Sequence, residues 1–291
     1  MFLDMSKTAI DTHFHVFQAG IAQVGARYIP GYDASLSSWQ AKAQPLGVKR
    51  GVLVQTSFMG NDNTQLLAEL ARCQDFLRGV AVVGADATLQ TLEPLHRLGV
   101  RGIRLNLAGI SHELIEWPRA NLLWDALLSL GWHVELHTDK GLLPDVLEQL
   151  PHAMPLVIDH MGKPEAISAH DKTVRTLGAR SRRGKVHVKL SGAYRLGGLD
   201  AGVLARLWLR ELGADRLLWG SDWPCTNHES FADYSTLLKS LHDWLGDEAV
   251  IETVLTTNPE HVYWGNQLPA YISARFAALR SAVQDLERDK Q

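Results

Sequence analysis

The sequence predicts an α/β protein, a single (β/α)8 TIM-type barrel with an extra C-terminal helix. Three observations carry that reading. Eight short runs rich in β-branched and apolar residues recur along the chain, leucine-spaced helical stretches lie between them, and chemistry-bearing polar residues stand repeatedly at the ends of the strand-like runs. Strands that alternate with helices pair in parallel through right-handed crossovers. Eight such units in 291 residues suit a closed barrel better than a doubly wound open sheet, the alternative that the same alternation allows.

The first strand is expected in 9–17, AIDTHFHVF, where period two sends Asp11, His13 and His15 to one face. GVLVQTS (51–57) and GVAVV (79–83) supply the second and third strands, with the helical pattern DNTQLLAELARCQD (62–75) between them. ATLQTLEPLHRL (87–98) leads to the fourth strand, VRGIRLNL (100–107), and RANLLWDALLSL (119–130) leads to the fifth, WHVELHT (132–138). LLPDVLEQL (142–150) precedes the sixth, PLVIDHM (155–161), and VHVKLSG (186–192) and LLWGSDW (217–223) complete the set. In 271–288, Ile272, Phe276, Leu279, Val283 and Leu286 form one helical stripe, so 266–291 is expected as a helical extension packed on the barrel or on a second subunit. No Gly/Ser-rich linker, repeat or charge block divides the chain, and residues 1–291 are read as one barrel domain.

An apolar fraction of 46% provides for a sizeable core and argues against disorder. A net charge of −3 gives no electrostatic reason to expect nucleic acid or an anionic membrane as partner. Cys73 and Cys225 are the only cysteines, too few and too far apart for a disulfide framework, which makes a reducing cytoplasm the expected compartment. The opening MFLDMSKTAID reaches acidic residues before any apolar run of signal-peptide length, and no later window approaches a membrane span. The expected partners are therefore a small molecule and, through the terminal stripe, a second copy of the chain.

In an eight-stranded α/β barrel the reactive residues sit at the C-terminal ends of strands. Here those ends carry His13 and His15, Ser57, Arg104 and Asn106, His137, His160, Ser191 and Asp222. His133 and His187 stand earlier in their strands and read as core or rim residues, whereas His96, His112, His152, His170 and His242 fall in helix or loop patterns and read as surface. Buried imidazoles and carboxylates without partners are costly, so the convergence of His13, His15, His137, His160 and Asp222 on one mouth points to function. Two chemistries suit the set: zinc held by imidazole and carboxylate, or Asp222 taking a proton from water while histidines polarise a carbonyl. Arg104 shares its strand face with Gly102 and Asn106, and Arg195 follows the seventh strand; two planar forks there suit a carboxylate. Arg101 alternates to the other face and is expected to meet a helix.

The ordered series IDTHFHVF, RYIPGYDA, VLVQTSFMGNDN, VRGIRLNL, GWHVELH, PLVIDHMGKPE, VKLSGAYRL, LLWGSDWPCTNHE and TTNPEHVYWG resembles the amidohydrolase superfamily over nearly the whole chain. Within it, the pattern is similar to the lactonase branch that includes 2-pyrone-4,6-dicarboxylate hydrolase. The resemblance implies Asp222 as the base that activates water, His13, His15 and His160 around the carbonyl, and Tyr28, Ser57, Arg104, Arg195 and Asn227 as substrate-holding positions. It departs in two places. The branch carries a further substrate arginine shortly after GIRLNL, where this chain reads LAGISHE, and a tyrosine after the fifth strand is here His137. His137 is thus either a substrate contact or, with His13, His15 and Asp222, one of four ligands to a single divalent ion such as zinc. The absence of lysine from VRGIRLNL removes the bridged two-metal arrangement of other members, leaving one metal or none. The implied activity is hydrolysis of a small carboxylated lactone, pyrone-dicarboxylate-like, muconolactone-like or sugar-derived. The alternatives are a mononuclear zinc-dependent decarboxylase or amide hydrolase of the same superfamily, and a barrel that binds without turnover.

Overall fold

A computed structural model of the protein describes residues 8–114 and 120–265, and within them every strand-like run forms a strand. The eight are β1 (Ala9–Phe14), β2 (Val48–Val54), β3 (Leu77–Ala81), β4 (Val100–Asn106), β5 (His133–His137), β6 (Leu156–Ile158), β7 (Val186–Leu190) and β8 (Leu217–Trp219). They pair in parallel in the order β1 to β8, which is the barrel rather than the open-sheet order. The intervening helices are α1 (Leu36–Ala43), α2 (Thr64–Arg72), α3 (Leu89–Leu98), α4 (Asn121–Leu130), α5 (Leu143–Glu148), α6 (Lys172–Ser181), α7 (Ala201–Leu212), α8 (Tyr234–Leu245) and α9 (Glu248–Glu252). Asp171, Asp200 and Asp247 start α6, α7 and α9 by accepting first-turn N–H groups. The expected extension at 266–291 lies outside the described residues.

Two strands are less than half as long as the runs that predict them. The sixth ends at Ile158 and the eighth at Trp219 because the chain turns into positive φ soon after, at His160 (50°) and Asp222 (56°). Inside the barrel, Val52, Val54, Val80, Val157 and Leu218 form an apolar layer closed by Tyr263. At the N-terminal end of the strands, Arg50 and Arg78 lie over the Trp264 ring at 4.0 and 4.8 Å, so the last described turn plugs the barrel from below.

The barrel closes where β1 meets the chain that follows β8. The His15 N–H donates to Trp223 O (2.8 Å), the Asp222 N–H to His13 O (2.8 Å), and Thr12 Oγ1 to Trp219 O (2.7 Å). Gly220 permits this approach: a Cβ there would lie 2.5 Å from His13 Cβ. Asp11 fastens the seam from the helix side. Its carboxylate accepts from Ser221 Oγ (2.6 Å), the Ser221 N–H (2.9 Å), Tyr234 Oη (2.9 Å), Trp39 Nε1 (3.0 Å) and the His13 N–H (3.1 Å). Asp11 therefore does not share the face of His13 and His15, as strict alternation predicts. A register shift between Asp11 and Phe14 breaks the period, so both Asp11 and Phe14, stacked on Trp39 at 4.2 Å, face α1.

His96 is the second correction. It is buried, and its Nδ1 accepts from Trp132 Nε1 at 2.9 Å where α3 packs against the start of β5. Arg101 does reach a helix, donating to the His96 carbonyl of α3 at 2.9 Å. Among the described residues no helix is long and apolar enough to cross a membrane, and Cys73 and Cys225 are free.

Removing the Asp11 carboxylate leaves buried donors on α1, α8 and the seam without an acceptor. Asp11→Ala is expected to cost roughly 3 kcal/mol or more. Urea denaturation reads this as a lower midpoint at unchanged slope; an unchanged midpoint would mean that the seam does not depend on this carboxylate.

Candidate active site

Period two on β1, beyond its register shift, turns His13 inward beneath the mouth and His15 into it, with ring centroids 4.9 Å apart. The loop after β6 brings His160, the loop after β7 Tyr194 and Arg195, and the loop after β8 Asp222. Six non-glycine residues among those described have positive φ: His160, Met161, Lys163, Asp222, Cys225 and Asn227. All lie in the loops after β6 and β8, so backbone strain is concentrated where the reactive groups are aimed. Ser191 and Gly192 seat His160. Ser191 Oγ lies 3.1 Å from its Nδ1, and any Cβ on Gly192, itself at φ 58°, would collide with the ring.

A pocket with about 420 Å³ of open space lies over these groups, lined by His15, Ser57, Arg104, Asn106, His137, His160, Arg195, Asp222 and Asn227 among others. It widens into an outer vestibule where Tyr28, Arg27, Ala108 and Ile110 form the wall. Tyr28 donates to Glu229 Oε1 at 3.2 Å. His13 lies below the pocket, fully buried. The residues expected to hold substrate are thus brought together at one mouth.

Asp222 has two unequal oxygens. Oδ2 accepts from Tyr194 Oη (2.5 Å) and Arg195 Nε (2.8 Å), whereas Oδ1 faces His15 Nε2 (3.3 Å) and His13 Nε2 (3.5 Å). Burial favours protonation of this carboxyl, but the Arg195 guanidinium outweighs it and holds Asp222 well below the usual carboxylate range. Burial keeps His13 and His137 well below the ordinary imidazole value and pushes His160 down to about 3, so these rings are neutral beside an ionised aspartate. His15 Nδ1 donates to the Val54 carbonyl at 2.7 Å, which turns Nε2 toward Asp222.

The arginines differ from expectation, since neither presents a free fork. Arg104 gives Nε and Nη2 to Asp159 Oδ2 (3.1 and 3.0 Å) and Nη1 to Gln55 O (3.3 Å). Arg195 is held by Asp222 and Thr226 O but keeps 20% of its side chain exposed against 4% for Arg104, and so is the better placed to meet a ligand anion.

His13, His160 and Asp222 bring ligand atoms within 4.8 Å of one another, close enough for one metal ion. The expected foursome of His13, His15, His137 and Asp222 is arranged differently. His137 Nε2 lies 3.1 Å from Lys163 Nζ, and His13 Nδ1 lies 3.1 Å from Lys189 Nζ. A lysine ammonium only donates, so where it bonds Nδ1 the proton of a neutral His13 stands on Nε2, and the nitrogen that faces Asp222 cannot ligate; with the proton on Nδ1 the His13, His160 and Asp222 set fits one ion.

Glu135, Asp159, Lys163, Lys189 and Tyr194 belong to this arrangement and did not emerge from the sequence. The signal was alternation: Glu135 shares a face with His133 and His137, and Lys189 with His187. Asp159 and Tyr194 each directly precede a residue that was identified.

The architecture defines a hydrolase-type site at the C-terminal mouth of a (β/α)8 barrel. The chain belongs to the amidohydrolase family, whose sequence profile matches residues 10–264. It is 30% identical to 2-pyrone-4,6-dicarboxylate hydrolase of Comamonas testosteroni over 89% of this chain and 91% of that one. It is 29% identical to 4-sulfomuconolactone hydrolase of Rhizobium radiobacter over 88% of this chain and 90% of that one. A solved structure from Pseudomonas putida, assigned as a 2-pyrone-4,6-dicarboxylic acid hydrolase, superposes with a TM-score of 0.80 at 36% identity, over 90% of this chain and 99% of that one.

The neutral histidines set a pH dependence for stability. Burial pushes His96, His133 and His160 down to about 3 from 6.5. Below 6.5 the unfolded chain takes up a proton at each, while the folded chain does not until about 3, so stability falls as pH drops through this window. Glu135 and Asp11, both raised by burial, take up a proton more readily in the folded chain and offset part of the effect as the pH falls. Urea titrations between pH 6.5 and 4 are expected to show a net uptake of protons on unfolding, with stability falling by about 1.4 kcal/mol per pH unit for each proton taken up. A flat profile would mean that these rings are already charged when folded.

Proposed function

We propose that this protein hydrolyses a small lactone bearing a carboxylate, by attack of water on the ring carbonyl with Asp222 as general base. The asymmetry of Asp222 carries the reading. With Oδ2 held by Tyr194 and Arg195, Oδ1 is the oxygen left to take a proton from water above His13 and His15. The ring carbonyl sits toward His13 and His160, whose N–H groups stabilise the oxyanion of the tetrahedral intermediate. Neutral rings donate to an oxyanion without placing a second cation, beyond Arg195, beside Asp222. The proton returns to the alkoxide as the acyl–oxygen bond breaks, and the ring opens to a hydroxy acid. The protein is a hydrolase acting on a carboxylic ester bond.

Arg195 is the guanidinium that meets the substrate carboxylate, with Ser57, Asn227 and His137 lining the same chamber and Tyr28 the vestibule. Arg104 acts from below, with its charge largely spent on Asp159. The wall after β4 mixes apolar Ala108 and Ile110 with the Arg27 guanidinium, which donates to the Ala108 carbonyl at 2.8 Å, so pyrone-dicarboxylate-like, muconolactone-like and sugar-derived lactones all stay within the proposed class. The hydrolase activities named for the Comamonas and Rhizobium relatives support this substrate class.

The proximity of His13, His160 and Asp222 favours a second reading, a mononuclear zinc decarboxylase or amide hydrolase of the same family. Chelation separates the two. Lactone turnover, followed by proton release across a lactone library, is expected to survive exhaustive chelation, and loss of turnover with restoration by zinc would favour the metal enzyme.

Asp222→Asn is expected to lower kcat by roughly 10³-fold or more while substrate still binds, because the base is lost and the pocket wall stays. Full turnover by this variant would remove Asp222 as the base.

A further inference from the structure

Lys189 stands on β7 directly beneath His13 and is wholly buried. Its Nζ lies 2.5 Å from Glu135 Oε2, 3.1 Å from His13 Nδ1 and 3.5 Å from Asp159 Oδ1. His13, Glu135 and Asp159 bring ligand atoms within 4.8 Å of one another, the geometry of a small cation nest, and the lysine ammonium fills it. Arg104 lies 3.0 Å from the far oxygen of Asp159, so two buried carboxylates face two buried cations and the cluster balances without a divalent ion.

His13 Nδ1 has three polar neighbours that ask for different protonation. Asp159 Oδ1 at 3.1 Å and Glu135 Oε1 at 3.4 Å would suit an Nδ1–H, yet neither oxygen takes a well-aligned hydrogen bond. Lys189 is the neighbour whose hydrogen bond is made, and it brings only protons. The ring's own proton then belongs on Nε2, a buried nitrogen without a partner in the protein that faces Asp222 Oδ1 across the floor of the pocket.

We propose that Lys189 is a positioning residue: its ammonium fixes His13 as the Nε2–H tautomer, so that the imidazole donates to the carbonyl oxygen of the bound lactone and is withheld from metal ligation. The catalytic consequence rests on the lactone-hydrolase reading, whereas the tautomer is a property of the free protein. Lys189 touches no substrate and acts through His13.

Nitrogen-15 NMR of the histidine-labelled free protein, with His13 assigned by its loss in His13→Gln, reads the tautomer directly. Nδ1 is expected bare and Nε2 protonated. A His13 protonated at Nδ1 overturns the proposal, with or without a variant. Lys189→Ala is expected to lose that signature and about 10- to 100-fold in kcat while KM stays within a few-fold, and added methylammonium, small enough for the vacated nest, is expected to restore part of kcat. A folded Lys189→Ala that keeps wild-type kcat also overturns it. If Lys189→Ala fails to fold, the wild-type spectrum still decides. If no lactone is turned over by the wild type, the lactone reading fails while the tautomer result stands.

Discussion

The closing seam between β1 and the chain after β8 is the constraint on which the rest of the site depends. A parallel barrel must join its first and last strands over a long sequence separation, and here the joined segments carry the reactive groups. The two hydrogen bonds that close the mouth run from His15 to Trp223 and from Asp222 to His13. The distance between base and imidazoles is therefore a property of barrel closure and owes little to side-chain flexibility. Asp11 makes the join firm by collecting donors from β1, α1, α8 and Ser221 on one carboxylate. A buried carboxylate is tolerable there because its oxygens are amply satisfied. Its place on the helix side also explains the register shift in β1, since a strictly alternating strand would put Asp11 into the charged interior.

Much of this organisation was legible in the sequence. The eight strands follow from short apolar runs between leucine-spaced helices, and His13, His15, His137, His160 and Asp222 were visible because barrel geometry gathers strand ends at one mouth. What local pattern could not supply was pairing at long range. Arg104 and Arg195 stand where expected, but that Asp159 and Asp222 hold them depends on contacts 55 and 27 residues away. His96 falls in a helical pattern and reads as surface, yet Trp132 of a neighbouring segment covers it. The Asp11 shift depends on β8, more than 200 residues downstream. Lys189 and Glu135 carried a signal in their alternation with His187 and His133, though alternation cannot reveal that they meet each other.

The interior is best understood as a polar column open at one end. Below it, Val52, Val54, Val80, Val157 and Leu218 with Tyr263 form an apolar floor, and Trp264 under Arg50 and Arg78 closes the barrel beneath. Among the described residues this layer separates the column from the lower end of the barrel. In such surroundings charges interact more strongly than in water, and an unpaired one is expensive. This accounts for both halves of the chemistry. Glu135, Asp159, Lys189 and Arg104 remain buried because each finds an opposite charge, and His13, His137 and His160 stay neutral because the cost of burying a charged ring outweighs the pull of the nearby carboxylates, which already face Lys189, Arg104 and Arg195. Asp222 is the exception that the site requires: it lies at the top of the column, where Arg195 and Tyr194 keep it ionised against burial. An ionised carboxylate above neutral imidazoles is the arrangement that the proposed hydrolysis uses, with a proton leaving water at one end and an oxyanion forming a few ångströms away. The sealed floor, far from any substrate, is what makes that separation of charge hold.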